Sequence, residues 1–181
     1  TEGDRLKFIN CRILGNQDTI YTGAKFTRLY FKDCYIDGTT DFIFGPSTAL
    51  FENCMIHSKR NSYVTAASTP KEAKYGYIFK HCKLTAEPGV DKVYLGRPWR
   101  PYAYTLFIEC ELGKHIVPAG WHNWGKQSNE ETARYMEYKN TGEGANVSER
   151  VAWSKQLTKK EAEAVTVDAI FGTQSNWNPI D

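Results

Sequence analysis

The chain has 181 residues, of which 41% are hydrophobic and 24% are charged, and its formal net charge is +2. These proportions are those of an ordinary globular protein, and they exclude an intrinsically disordered chain and a coiled coil. The length fits one domain, residues 1–181, and the charge is too small to indicate a nucleic-acid-binding protein. No apolar stretch approaches the roughly 20 residues of a membrane span, and the opening sequence TEGDRLKFIN lacks the apolar region of a signal peptide.

A short pattern, Phe-x-x-Cys followed by any residue and then Ile or Leu, occurs five times and contains all five cysteines. Its phenylalanines are 23, 20, 28 and 28 residues apart, and a period in this range is typical of a solenoid protein. Within the pattern, Cys and Ile or Leu alternate with other residues, as in a β-strand with one buried face. The five copies begin at Phe8, Phe31, Phe51, Phe79 and Phe107.

The segments between the copies contain no helical pattern of ten residues or more, which argues against helical leucine-rich repeats and against alternating strands and helices. The repeats therefore predict an all-β protein, a parallel β-helix that forms a single-stranded solenoid with one coil per repeat. Free cysteines behave as small apolar side chains, so we expect them to form a dry internal column. In this interpretation residues 1–113 form regular coils, and residues 114–181 form late coils, loops and a C-terminal cap.

The part of the chain after the fifth copy is less regular. It is predicted to contain two short strands, at 135–138 and 151–153. Two loops are predicted at 118–124 and 140–146. Thr158 and Glu161 form a capping-box pattern that predicts a short helix. We expect this helix to cover the C-terminal end of the coil stack, because solenoids need a capped end.

The first residues lead almost directly into a full coil, and they contain no pattern typical of a cap. We therefore expect the parent protein to have further coils upstream, which leaves an open edge at the first coil of this chain. An open strand edge pairs readily with another chain, so a homodimer through this edge is expected.

Two aspartates occupy the same position relative to the repeated cysteine. Asp18 lies seven residues after Cys11, and Asp41 lies seven residues after Cys34. Neighbouring strands are about 4.8 Å apart, so equivalent carboxyl groups on adjacent coils disfavour simultaneous ionisation. One ionised and one protonated carboxyl group is what nucleophilic catalysis with acid–base assistance requires. Two alternatives stay open: aspartates that only form turns, and a calcium site, for which two carboxylates are few ligands.

A third group of residues follows the fourth repeat. Arg97 lies fifteen residues after Cys82 and belongs to a later coil or to its outgoing loop. A guanidinium group there can hold one aspartate ionised through a bidentate pair. Trp99 can stack on a sugar face, as aromatic residues do in binding clefts. The alternative for both residues is a surface charge beside a tryptophan that only packs in its loop.

These motifs, in order, resemble the signature motifs of the pectin methylesterase family. They are GNQDTI with Gln17 and Asp18, DFIFG with Asp41 and Phe44, and LGRPW with Arg97 and Trp99. The Phe-x-x-Cys repeats and the segments PAGW (118–121) and YKNTG (138–142) are also similar to that family. The resemblance covers essentially the whole chain, and residues 155–181 match least firmly.

The resemblance implies a right-handed parallel β-helix that hydrolyses the methyl esters of polygalacturonate in pectin and releases methanol. It implies roles in cell wall modification and pectin catabolism, with pectin as the partner and with neither nucleic acid nor membrane involved. No metal or organic cofactor is expected. Because the substrate is extracellular, the resemblance also implies a secreted or periplasmic protein.

The resemblance further implies a role for each residue of the site. Asp41 is expected to attack the ester carbonyl as nucleophile, and Asp18 to act as general acid and then as general base. Gln17 is expected to donate an amide hydrogen bond to the oxyanion, and Arg97 to keep Asp41 ionised. Two aromatic residues, Trp99 and Phe44, are expected to line the substrate cleft.

The family has another signature upstream of GNQDTI, and it supplies a second glutamine to the oxyanion hole. This chain begins just after the place where that segment would end. Loss of one oxyanion donor typically lowers the rate by about 10²–10³-fold. We therefore expect the parent protein to be an esterase and the isolated chain to be weakly active or inactive.

Two other functions remain open at this stage. Polygalacturonases and pectate lyases are also β-helices that act on this polymer, but the sequence has no Gly-His-Gly, Arg-Ile-Lys or adjacent Asp-Asp and no evident calcium-binding carboxylate cluster. A non-catalytic sugar-binding β-helix would use Trp99, Trp121 and Trp124 as a platform and would bind sugar without either aspartate. Analysis of the products separates these functions, since an esterase leaves the polymer length unchanged.

Overall fold

Each repeat of the sequence forms one coil of a parallel β-helix. The computed structural model describes residues 1–172 and 177–180, and the strand pairs formed by these residues are parallel. In chain order the strands are β1 (Leu6–Ile9), β2 (Arg12–Ile13), β3 (Ile20–Tyr21), β4 (Arg28–Lys32), β5 (Tyr35–Gly38), β6 (Ile43–Gly45), β7 (Thr48–Glu52), β8 (Met55–Ser58), β9 (Tyr63–Ala67), β10 (Tyr77–Lys80), β11 (Lys83–Ala86), β12 (Tyr94–Gly96), β13 (Tyr104–Ile108), β14 (Glu111–Leu112), β15 (Arg134–Tyr138) and β16 (Lys155–Gln156).

The strands form three sheets that wrap around one core. The first sheet has the order β1-β4-β7-β10-β13-β15-β16, the second β14-β11-β8-β5-β2 and the third β12-β9-β6-β3. Each of the first four coils therefore contributes one strand to each sheet. The architecture confirms the all-β parallel β-helix that the repeats predict.

The repeated phenylalanines form a continuous stack inside the coils. Each one pairs in register with the next along the first sheet. Their ring centroids are 4.7, 4.6, 4.5 and 4.4 Å apart in succession, close to the spacing of neighbouring strands. The rings are almost parallel, with interplanar angles of 7–8°. Each repeat of the sequence thus adds one phenylalanine ring to the stack in the core.

The repeated cysteines lie beside this stack and are all free thiols. Cys34, Cys54, Cys82 and Cys110 are buried, and Cys11 in the first coil is half-buried. Burial raises the pKa of Cys34 to about 11, so its thiol stays protonated and unreactive at neutral pH. The residue before each cysteine has a left-handed backbone, with φ between 50° and 55°, which turns the chain from the first sheet into the second.

A buried ion pair ends the phenylalanine stack in the sixth coil. There β15 places Glu137 in register with Phe107, and the glutamate is only 1% exposed. The Arg150 Nε atom donates to Glu137 Oε1 at 2.8 Å, and Arg150 Nη1 and Nη2 donate to the carbonyl oxygens of Pro118 and Gly144. The charges of both residues are therefore compensated by partners inside the structure.

The C-terminal part agrees only partly with the sequence analysis. The strand predicted at 135–138 is confirmed as β15, whereas the one predicted at 151–153 is wrong, because that segment is a turn and the next strand is β16. The predicted helix is confirmed as α1 (Lys159–Glu163), and Thr158 and Glu161 form both hydrogen bonds of a capping box. Two 3₁₀ turns and a π-helical turn complete the described elements, at Gln127–Asn129, Glu143–Ala145 and Asp168–Gly172.

The position expected for this helix, over the end of the coil stack, is wrong. The helix and the segment after it pack on the outer face of the first sheet through Ala162, Val165, Ile170 and Phe171. That face needs cover because its outward positions are apolar rather than polar. At the last coil, partly buried hydrophobic side chains of the turn before β16 pack against the core instead. The residues of the outer face are Tyr30, Leu50, Ile78, Leu106 and Ile108, and those at the last coil are Val151 and Trp153.

In the part of the chain that the structure describes, no helix is long and apolar enough to cross a membrane.

The phenylalanine stack generates a test of stability. We expect Phe79→Ala to lower the free energy of unfolding by about 3–5 kcal/mol, because Phe79 is fully buried and stacks on two neighbouring rings. Phe8→Ala is the matched control and should lose clearly less, since Phe8 is exposed in part and stacks on one ring. Urea unfolding of both variants measures the difference. Equal losses would contradict a core organised by this stack.

Candidate active site

Asp18 and Asp41 occupy equivalent positions on adjacent coils. They precede β3 and β6, which pair so that Ile20 lies opposite Ile43. Both have a left-handed backbone, with φ of 57° and 49°. The Asp18 N–H donates to the carbonyl of the next coil at 3.0 Å, and the Asp41 N–H does the same at 2.9 Å. The structure therefore gives the two aspartates the shared register that the sequence suggested, and it adds a shared backbone conformation.

The two carboxyl groups have different surroundings. Asp18 is exposed, whereas Asp41 is only 6% exposed. Arg97, which follows β12 on the fourth coil, reaches across one coil to Asp41. Its Nε donates to Asp41 Oδ1 at 3.0 Å and its Nη2 to Oδ2 at 2.7 Å. Because both carboxylate oxygens accept from one guanidinium group, the pair matches the geometry of an ionised aspartate.

Opposing influences set the pKa of Asp41. Burial raises this pKa above its ordinary value, because it penalises the charged form. The hydrogen bonds and the charge of Arg97 act in the opposite direction, and the nearby charge of Asp18 raises the pKa again. The net direction is upward. Asp41 is thus a more basic carboxylate than an ordinary aspartate, and a more basic carboxylate is a stronger nucleophile once it is ionised.

The turn that carries Gln17 and Asp18 is fixed by hydrogen bonds from the next two coils. The Gly15 N–H donates to Asp37 Oδ1 at 3.0 Å, and Lys59 Nζ donates to the Gly15 carbonyl at 2.7 Å. The Gln17 side chain itself is exposed beside Asp18, so its amide can reach a ligand at the surface. Sequence reasoning missed Asp37 and Lys59, because nothing in their spacing distinguishes them from ordinary surface charges.

An aromatic strip lies beside the carboxyl groups on the outer face of the third sheet. Tyr21 stacks on Phe44 with ring centroids 4.8 Å apart, and Phe44 meets Trp99 edge-on at 5.8 Å. The guanidinium of Arg100 lies over the Trp99 ring at 4.7 Å. A groove of about 380 Å³ runs along Tyr21, Trp99 and Arg100 and also contains Lys25. Half-exposed rings next to cationic side chains suit an acidic polysaccharide.

Two aromatic residues that sequence reasoning did not connect with Arg97 enclose its guanidinium group. Arg97 Cζ lies over the Tyr63 ring, 3.9 Å from its centroid, and over the Trp124 ring, 3.7 Å from its centroid. The sequence analysis considered Trp124 only as a member of a sugar platform. Trp121, another member of that platform, is 1% exposed and stacks on Tyr135 inside the core. It therefore has no surface to offer to a sugar.

The described residues contain no group of three or more His, Cys, Asp or Glu side chains that could hold a metal ion.

Comparison with known proteins identifies the family of the chain. The family model described as Pectinesterase matches residues 1–174. Pectinesterase 31 of Arabidopsis thaliana is 44% identical over 160 residues, which are 88% of this chain and 50% of the relative. Probable pectinesterase A of Neosartorya fischeri is 38% identical over 179 residues, or 97% of this chain and 52% of the relative. The chain belongs to the pectinesterase family.

Solved structures of pectin methylesterases share the fold. The enzyme from carrot superposes with a TM-score of 0.87 and is 34% identical, over 93% of this chain and 57% of that one. A pectin methylesterase in complex with a hexasaccharide gives a TM-score of 0.81 at 31% identity, over 98% of this chain and 59% of that one. The chain thus spans about half the length of these pectinesterase relatives.

The contacts of Asp41 generate a test of its electrostatics in this member of the pectinesterase family. We expect Arg97→Gln to raise the pKa of Asp41 further, because the influence that lowers it is removed while burial remains. Asp18→Asn should lower the pKa of Asp41, because it removes a nearby negative charge. Carbon-13 NMR titration of the Asp41 carboxyl group measures both shifts. Shifts in the same direction for the two variants would contradict this account of the site.

Proposed function

We propose that this chain carries the catalytic carboxyl groups of a pectin methylesterase, which hydrolyses methyl esters of polygalacturonate and releases methanol. The observation that carries the proposal is the pair Asp18 and Asp41 in register on adjacent coils, with Arg97 bonded to both oxygens of only one of them. Membership of the pectinesterase family supports the same reaction. The proposal concerns the natural polypeptide that contains these residues.

The first step forms a covalent intermediate. Asp41 attacks the ester carbonyl carbon with one carboxylate oxygen, and the carbonyl oxygen becomes an oxyanion. The exposed amide of Gln17 donates a hydrogen bond to that oxyanion. Asp18 acts as the general acid and gives a proton to the methoxy oxygen as the carbon–oxygen bond breaks. Methanol leaves, Asp41 is joined to the galacturonate as an anhydride, and Asp18 is a carboxylate.

The second step restores both aspartates. Asp18 accepts a proton from a water molecule while the water oxygen attacks the carbonyl carbon of the anhydride. The tetrahedral intermediate then collapses, releasing the galacturonate carboxyl group and a free Asp41 carboxylate. Arg97 favours the charged form of Asp41 at the beginning and at the end of the cycle. No metal or organic cofactor is needed for either step.

The aromatic strip and the cationic groove support an acidic sugar polymer as the substrate. We propose that Trp99 and Phe44 line the cleft in which the sugar rings lie against aromatic faces. Lys25 and Arg100 add positive charge along the groove beside Trp99. Because pectin is a cell wall polymer outside the cell, we propose that the protein acts in the extracellular space or the periplasm, in cell wall modification and pectin catabolism.

The proposed reaction is tested by methanol release from highly methylated pectin. In the natural polypeptide we expect Asp41→Asn to lower the rate by about 10⁴-fold or more, because an amide is a poor nucleophile. Gln17→Ala should cost about 10²–10³-fold as an oxyanion donor. Asp33→Asn is the matched control, since Asp33 is an exposed turn residue with the same left-handed backbone, which asparagine also adopts.

Product analysis on the same samples separates this function from its alternatives. We expect methanol to be released and the polymer to be retained longer on anion exchange, because its negative charge rises while its chain length stays unchanged. Shortened or unsaturated fragments would indicate a glycosidase or a lyase. Sugar binding without methanol release in the unmodified protein, retained in Asp41→Asn, would indicate a non-catalytic binding protein.

We also propose that the 181-residue chain by itself forms a homodimer through its first coil. β1, β2 and β3 are the terminal strands of their sheets, and a hollow of about 320 Å³ at this edge is lined by apolar side chains. Exposed backbone next to apolar side chains favours pairing with a second chain. The lining includes Phe8, Cys11, Ile13 and Ile20.

The dimer is tested by sedimentation of the 181-residue chain over a range of concentrations. We expect a monomer–dimer equilibrium that Ile13→Glu shifts to monomer, because the new charge would be buried between the two chains. Met55→Glu, on the outer face of the second sheet, is the control and should leave the equilibrium unchanged. A chain that sediments as a monomer at every concentration would refute the proposal.

A further inference from the structure

The guanidinium group of Arg97 contacts the rings of two aromatic residues from different coils. We propose that Tyr63 and Trp124 are positioning residues, which hold Arg97 in the plane where it bonds to Asp41. The ring of Tyr63 is 3.9 Å and that of Trp124 is 3.7 Å from Arg97 Cζ. The consequence for catalysis rests on the proposed function, whereas the effect on the charge of Asp41 does not.

The geometry of a guanidinium group explains why rings at its faces matter. Its five N–H donors lie in one plane, and its faces carry no donors and are weakly hydrated. An aromatic face attracts such a cation when the ring centroid is within about 6 Å, and both distances at Arg97 are well inside that limit. Contacts to the faces therefore hinder rotation out of the plane while leaving the edge with Nε and Nη2 directed at Asp41.

Tyr63 and Arg97 are joined through neighbouring strands. The Arg97 N–H donates to the carbonyl of Thr65 on β9, the strand that begins at Tyr63. Tyr63 is in turn backed by Tyr94, whose ring centroid lies 5.3 Å away in a stacked arrangement. Because the ring of Tyr63 also stacks on Tyr94, its orientation does not depend on Arg97 alone.

Trp124 reaches Arg97 from the fifth coil. The His122 N–H donates to the carbonyl of Gly96, which directly precedes Arg97, at 3.1 Å. The Trp124 N–H donates to His122 Nδ1 at 3.0 Å, so the backbone that carries Trp124 is tied to the end of β12. The His122 ring also lies 5.4 Å from the rings of both Tyr63 and Tyr94. The imidazole of His122 thus connects Tyr63 with the loop that carries Trp124.

The same histidine adds no positive charge near neutral pH. Burial and the charge of Arg97 both lower the pKa of His122, so the imidazole is neutral beside the guanidinium group. Its Nδ1 accepts the hydrogen bond from the Trp124 N–H, which only a neutral imidazole ring can do. On this side the described neighbours of Arg97 are therefore aromatic or neutral, whereas its hydrogen-bonding edge meets the carboxylate of Asp41.

The inference predicts a specific change when a ring is lost. In Tyr63→Leu or Trp124→Leu, Arg97 keeps its charge but samples orientations that do not reach both oxygens of Asp41. The pKa of Asp41 should then rise further, since burial remains while the bidentate bond is weakened. We expect kcat/KM for methanol release to fall about tenfold for each variant and the acidic limb of the pH profile to move to higher pH, with KM little changed.

Conservative variants separate positioning from simple packing. Tyr63→Phe and Trp124→Phe keep an aromatic face and should retain the pKa of Asp41 and most of the activity. Trp99→Leu is the matched control, because its ring is near the site but contacts Arg100 and Phe44 rather than Arg97. We expect it to raise KM for pectin without moving the pKa of Asp41.

The experiment combines carbon-13 NMR titration of Asp41 with the pH dependence of methanol release, both on the natural polypeptide. An unchanged pKa of Asp41 in both leucine variants, or phenylalanine variants as impaired as the leucine ones, would overturn the inference. If the unmodified protein releases no methanol, the proposed function fails while the titration still tests the positioning of Arg97. The loop of Trp124 has other bonds, such as Asn129 Nδ2 to the Asn123 carbonyl at 2.9 Å, so loss of the ring should leave it folded.

Discussion

The regular stacking of equivalent residues from coil to coil is the constraint on which the rest of the structure depends. The phenylalanine rings lie 4.4–4.7 Å apart along the core, and a strand spacing of this size fixes every other column of side chains as well. Asp18 and Asp41 are close to each other for that reason. Their adjacency follows from the same register that stacks Phe8 on Phe31, so the core and the site have one geometric origin.

Register alone gives two similar aspartates, and the difference between them arises from what lies on later coils. Asp41 has a third and a fourth coil beyond it, and these bury its carboxyl group and bring Arg97 to it. Burial and the guanidinium group act on its pKa in opposite directions, and burial prevails. A buried carboxylate of raised basicity, held by a charged partner, is suited to nucleophilic attack. Asp18 stays at the surface, where the proposed function has it exchange protons with methanol and water.

The features that recur from coil to coil could be predicted from the sequence. The coils, the cysteine column and the shared position of the two aspartates all follow from a pattern that occurs several times. The capping box of α1 was also predictable, because Thr158 and Glu161 lie within one turn of helix. The contacts of Tyr63 and Trp124 were not, since they connect Arg97 with residues far away in the chain that lie outside the Phe-x-x-Cys pattern. The placement of α1 likewise depends on the apolar outer face of the first sheet, which single strands do not reveal.

The buried ion pair at the end of the phenylalanine stack gives the late coils a connection to the site. Arg150 donates to the carbonyl oxygens of Val117 and Pro118, and a Cβ atom on Gly120 would lie 2.5 Å from the Arg150 side chain. The carbonyl of Gly120 accepts a hydrogen bond from the N–H of Leu95, two residues before Arg97. This segment leads directly into the loop that carries Trp124. Glu137 therefore ends the stack, because it lies where a sixth phenylalanine would stack. Through Arg150 it also holds the first residues of the loop that carries Trp124 to Arg97.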